Sequence, residues 1–117
     1  RRLLLVAVGL TSLRWLLIAA FASNLGVMLF AQTLHAASFG VYHAVAIYLI
    51  HRLFTGSHQG RGQALYSSVS FGAGGAVGSL VSGYLWHGIN PQAMFLLAAV
   101  TSLAAMLVIL RGMQADY

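Results

Sequence analysis

Four apolar runs, at residues 3–22, 25–50, 63–86 and 92–110, take up nearly the whole chain and leave no stretch long enough for a soluble domain. A helix of about 20 residues spans the hydrocarbon core of a bilayer, so each run is a candidate transmembrane segment. The charge content agrees. Of 117 residues, 60% are hydrophobic and only 6% are charged, against about 25% charged in a soluble domain. The chain is too apolar for disorder. It has no cysteine, which excludes disulfides and thiolate metal sites. The formal charge of +5 does not point to nucleic acid, because the arginines sit between apolar runs and do not form a wet basic face. The first run is too long for a signal peptide, whose apolar region covers about 7–15 residues, and it carries Arg14. The composition therefore implies an all-α integral membrane protein of four antiparallel helices.

The connections set the orientation. Ser23-Asn24 joins the first two runs, and His87 to Asn90 joins the last two, with Asn90 placed as an N-cap and Pro91 in the first helical turn. Residues 51–62 (HRLFTGSHQGR and the following Gly) read as a wet loop. Arg1, Arg2, Arg52, Arg61 and Arg111 all fall on the side where the first helix starts, and the opposite connections carry no Arg or Lys. The positive-inside rule then puts both termini and the 51–62 loop in the cytoplasm. Tyr84 and Trp86 fit an interfacial aromatic belt; Trp15 lies too deep for one.

The third run carries small residues in register. Ser70, Gly74, Gly78 and Ser82 recur every four residues, with Gly75, Ser79 and Gly83 in the neighbouring row. Such rows let helix backbones approach closely where lipid supplies no hydrophobic drive. They suit plain helix packing, and they equally suit a helix that flexes or slides.

Two membrane-embedded polar groups stand out. Arg14 lies about 15 Å from the Asn24 end of its helix, and His35 about 15 Å from the Leu25 end of the next, so both are expected at mid-bilayer. An Arg at that depth costs about 2.5–3.5 kcal/mol on insertion scales, so it should face protein or an aqueous cavity and have a partner. Gln32, His35, Phe39, Tyr42, His43 and Ala46 fall within about 100° of arc on the second helix, a polar stripe expected to line a cavity, with Ser38 to one side. A structural ion pair and a satisfied core histidine are the plain alternatives. His35, His43 and His51 repeat every eight residues, a spacing that drifts around a helix and does not build a metal site. The one acid, Asp116, belongs to the far tail, so the counter-charge for Arg14 must come from further helices or from an anionic substrate.

Leu13-Arg14-Trp15, then Gln32 through Gly40 (QTLHAASFG), then Gln63-Ala64-Leu65-Tyr66-Ser67 opening a Gly-rich helix that ends Ser82-Gly83-Tyr84-Leu85-Trp86, resemble the C-terminal part of major facilitator superfamily transporters. The nearest group is the phenylpropionate-permease and lactose-permease-like branch. The resemblance covers essentially the whole chain and implies helices nine to twelve of a twelve-helix bundle. It implies a bacterial inner-membrane symporter, proton-coupled, working on a small solute such as an organic anion or sugar by alternating access. In lactose permease an Arg in helix nine, and a His followed three residues later by a Glu in helix ten, serve binding and coupling. Arg14 and His35 match the first two; Ser38 stands where the Glu would be, and a serine does not titrate near neutral pH. The implied site is Arg14, His35, Gln32, Ser38, Tyr42 and His43, with Ser70, Gly74, Gly75, Gly78 and Ser82 as a packing or moving face. The implied partners are a small-molecule substrate, a proton, the lipid bilayer and the remaining N-terminal helices, with no nucleic acid and no cofactor. The competing classes are a stand-alone four-helix exporter that oligomerises and a structural membrane subunit. An exporter of that kind needs an embedded acid, and none of the four runs contains one. No nucleophile, metal-ligand set or acid pair for an enzyme can be assembled.

Overall fold

A computed structural model describes residues 1–113, so Asp116 lies outside the described residues. The helices are α1 (Arg2–Phe21), α2 (Leu25–Leu53), α3 (Gly56–Gly88) and α4 (Pro91–Gly112), each long and apolar enough to cross a membrane. No strand occurs among the described residues. The long axis of 48 Å is close to the roughly 40–45 Å of a bilayer with its headgroups.

The α1 helix sits in the middle, packed along α2 on one side and α4 on the other. Its central window is 39% buried, whereas that of α3 is 0% buried. Small residues make the close approach possible. Ala7 and Ala19 are buried in α1, as are Ala31 and Ser38 in α2 and Ala99 and Ser102 in α4. Lipid tails are as apolar as leucine, so this tight packing and the hydrogen bonds across it supply the cohesion.

Three polar contacts tie α1 to α4. Gln92 donates to the Ala19 carbonyl (3.2 Å) at one end, and Arg1 donates to the Leu110 carbonyl (3.2 Å) at the other. Between them the Ser12 and Ser102 hydroxyls lie 2.8 Å apart. Each also reaches a carbonyl of its own helix, Val8 for Ser12 and Ala99 for Ser102. Two hydroxyl protons are thus shared over three contacts, and neither buried oxygen is left alone.

The helix ends follow from local chemistry. The Asn24 side chain accepts from the Val27 N–H and the Asn90 side chain from the Ala93 N–H, and Pro91 occupies the first turn. The expected loop over 51–62 is corrected. The α2 helix continues to Leu53 and α3 begins with a 3₁₀ turn at Gly56, so only Phe54 and Thr55 lie between them. The apolar run ends where hydrocarbon ends, but a helix crosses that boundary freely because polar residues do not break it. The chain turns where Gly56 adopts a φ of +58°, which a residue without Cβ does at no steric cost.

The α3 helix is held near its two ends and, at Tyr66 and Phe71, against His43 of α2. At its start Gly62 is buried against Phe54 and Ile50, and near its far end it approaches α4. Along the rows between, nothing in the chain lies within 4 Å of a Cβ placed at Gly75, Gly78 or Gly83. Of the residues expected to form a packing face, Ser70, Gly74, Gly75 and Gly78 are exposed and Ser82 is half-buried. No helix covers that face among the described residues.

A Cβ at Gly62 would stand 2.6 Å from the Phe54 ring. Gly62→Ala therefore destabilises the α2–α3 hairpin by about 1–3 kcal/mol, the usual range for overpacking. In a Phe54→Ala background the ring is gone and the same change costs less, with only the 3.1 Å approach to Ile50 left to relieve. Detergent-denaturation midpoints of the four proteins in this cycle test the contact, and an equal Gly62→Ala cost in both backgrounds contradicts it.

Candidate functional site

Arg14 is drawn into the protein. It is 8% exposed, its Nε has no hydrogen-bond partner, and no ion pair reaches it among the described residues. Its guanidinium carbon lies 4.0 Å from the centroid of the Trp15 ring, a cation–π contact worth about 0.5–2 kcal/mol. Trp15 stacks on Phe95 of α4 (5.8 Å between centroids), and Trp86 of α3 meets Phe95 edge-on (6.3 Å). A ladder of three rings therefore links α1, α4 and α3 behind the one buried cation. The depth of Trp15, too great for an interfacial belt, is explained by this role.

The polar stripe of α2 faces another way. His35 packs against Phe39 (5.7 Å), and Phe39 stacks nearly parallel on His43 (5.7 Å, 8°). His43 then meets α3: its Nδ1 lies 3.5 Å from the Tyr66 hydroxyl, and its ring is 6.4 Å from that of Phe71. Of the expected site residues on α2, Ser38 turns inward, 2% exposed, its hydroxyl donating to the His35 carbonyl at 3.3 Å. Gln32 and His35 are exposed.

The winding of α3 builds the other wall of this cluster. Residues Ser68–Ala73 form a π-helical turn, and the Gly74 N–H donates to the Val69 carbonyl five residues back. Residues five apart point about 140° apart on an α-helix, but the wider i→i+5 turn brings them nearly over one another. Tyr66 and Phe71 are five apart and meet edge-on at 5.9 Å. Ser68, Ser70, Gly72 and Ala73 are small residues within the turn, alternating in part with Val69 and Phe71. A Cβ at Gly74 would stand 3.2 Å from the Val69 carbonyl oxygen, so this glycine fits the end of the turn closely. Such π turns occur often at functional sites.

Arg14 and His35, expected side by side, are not joined by any hydrogen bond or ring contact among the described residues. The structure groups His35, Tyr42 and His43 with Tyr66 and Phe71, and it puts Arg14 with Trp15 and Phe95. An apolar cavity of about 410 Å³ lies between α1, α2 and α4, with Tyr42, Val8, Ala46 and Val108 in its wall; neither Arg14 nor His35 lines it. Tyr66, Phe71 and Phe95 join the site without a prior signal in the sequence. The Ser- and Gly-rich stretch around residue 70 is the one local hint of the altered winding.

Four membrane-length helices, a buried cation without an ion pair among the described residues and an imidazole–aromatic wall are features of a membrane transport protein. The profile of the MFS_1 like family matches residues 1–97, and the chain belongs to that family of membrane transporters. No curated protein and no solved structure matches it.

The isolation of Arg14 has a stability consequence. A buried ion pair broken at one partner loses about 3–5 kcal/mol. Here Arg14→Leu removes only the cation–π contact and relieves an insertion cost of about 2.5–3.5 kcal/mol. In the full-length protein the thermal midpoint of Arg14→Leu is expected to equal or exceed that of the parent. A large fall, measured in detergent, would reveal a hidden anionic partner.

Proposed function

We propose that the chain forms helices nine to twelve of a twelve-helix transporter in the phenylpropionate-permease and lactose-permease-like branch. It moves a small solute, an organic anion or a sugar, by alternating access coupled to protons. The protein resides in a bacterial inner membrane with its arginine-rich side, including the α2–α3 turn and both termini, in the cytoplasm. The observation that carries this reading is Arg14, buried in a membrane-length helix with its Nε unpartnered. A cation retained at such cost without a structural partner is best explained by a ligand that reaches it in another state of the protein.

In this reading Arg14 holds the anionic or hydroxyl-bearing end of the solute. His35, Gln32, Tyr42 and His43 present hydrogen-bonding groups from the stripe on α2, and Ser38 fixes the stripe by its bond to the His35 carbonyl. His35, or an acid on the other helices, carries the coupling proton that Ser38 cannot. The uncovered rows of α3 receive the N-terminal helices of the same protein, and loose attachment at both ends lets α3 move against them.

The test is uptake by the full-length protein reconstituted in liposomes. Hydrogen bonds to a charged group contribute about 1.5–3 kcal/mol, so Arg14→Ala is expected to lower uptake about 10- to 100-fold. His35→Ala is expected to abolish the dependence of uptake on an imposed proton gradient. Unchanged uptake in both variants overturns the site.

A further inference from the structure

Arg14 is buried and its Nε has no hydrogen-bond partner, yet its guanidinium is not loose, because the guanidinium carbon lies 4.0 Å from the centroid of the Trp15 ring. We propose that Trp15, backed by Phe95, is the positioning residue for Arg14: the ring face fixes the guanidinium without neutralising it, and the N–H donors stay available to an anionic group of the solute. This role rests on the proposed function, in which Arg14 meets the solute.

The kind of contact is what matters. A carboxylate in the place of the ring would hold Arg14 more firmly, but it would occupy the same donors that an anionic solute needs. A π-face attracts the cation through its quadrupole and offers no lone pair for a full hydrogen bond. The five donors of the guanidinium fork are therefore left to the ligand. Ordering a long side chain on binding costs affinity, and a ring that already holds the side chain removes part of that cost.

The ring is itself held from behind. Trp15 stacks on Phe95 of α4 with 25° between the planes, and Trp86 of α3 meets the other side of the ladder at 80°. The register of α1 on α4 is set on both sides of this stack. Gln92 donates to the Ala19 carbonyl, and the Ser12 and Ser102 hydroxyls meet; Ala19 and Ser12 each lie about one helical turn from Trp15. Phe95 stays opposite Trp15 as long as those bonds hold. Trp15 and Phe95 are both only half-buried, so filling a closed core does not account for two rings here.

The test uses the full-length protein in liposomes, with Trp15 replaced by mono-, di- and trifluorotryptophan through nonsense suppression. Each fluorine withdraws electron density from the ring face and leaves the size of the ring almost unchanged, so a merely structural role would not respond to it. Uptake of phenylpropionate is the anionic probe and uptake of lactose the neutral one. The KM for phenylpropionate is expected to rise stepwise along the fluorinated series. For Trp15→Leu it should rise about 2- to 10-fold, the range for ordering one long side chain, with the maximal rate within about twofold of the parent. Trp15→Phe keeps a π-face and should hold KM near the parent value. Should Trp15→Leu fail to fold, the fluorinated series decides alone. A KM that stays flat along that series while Arg14→Ala lowers uptake overturns the role of Trp15 and leaves the site standing. A falling KM overturns it too, because the ring would then compete with the solute for the cation. Uptake of lactose with none of phenylpropionate overturns it in favour of a neutral solute. If Arg14→Ala leaves uptake unchanged, or neither probe enters, the proposed function has failed and the role of Trp15 falls with it.

Discussion

The close packing of α1 between α2 and α4 is the constraint on which the other features rest. In lipid no hydrophobic drive presses helices together, so contact requires small side chains and satisfied polar groups. The α1 helix supplies both, with alanines along its contacts and Ser12 bridging to Ser102. Once that helix is central, Arg14 has no route to lipid and is enclosed by the chain itself. The guanidinium then rests on the electron-rich face of Trp15. Packing and the unusual electrostatics therefore have a single origin.

The α3 helix obeys the same rules with the opposite outcome. It is the richest of the four in small residues, yet beyond the contacts of Tyr66 and Phe71 with His43 its glycine rows at Gly75, Gly78 and Gly83 are uncovered among the described residues. Small residues permit close approach but do not compel it; a second surface of matching shape must be present. Along most of its length α3 has no such surface here. At its ends it has two, the Gly62–Phe54 contact and the Trp86–Phe95 contact. Rings fill the space at both ends, and glycines occupy the length between them. A helix fixed in that way can bend along its glycine rows without breaking either end, and the π turn lies beside the His43 contact.

How far the sequence foretold this depends on the range of the interaction concerned. The spans were legible because hydropathy is a property of each run alone, and the Asn90-Pro91 start was legible because caps are local. The α2–α3 connection was not, since hydropathy marks the membrane edge and a helix can run past it, as α2 does to Leu53. Arg14 was recognisable as buried from its depth, but its partner was not. The ring beneath it belongs to the adjacent residue, and Phe95, which holds that ring, is 80 positions away. The stripe on α2 followed from a regular 100° turn. Its counterpart on α3 did not, because Tyr66 and Phe71 share a face only when the helix departs from that turn.

That departure bears on how the two halves of the site communicate. His43 is the residue at which the α2 stripe meets α3, through the Tyr66 hydroxyl and the Phe71 ring. Rewinding the Ser68–Ala73 turn to α geometry would swing Phe71 by roughly a residue's rotation, about 100°, and carry it off His43 while Tyr66, N-terminal to the turn, stayed in place. The imidazole would keep its hydroxyl partner and lose one apolar wall, becoming more open to water. The winding of α3 thus sets how much apolar cover the imidazole on α2 keeps.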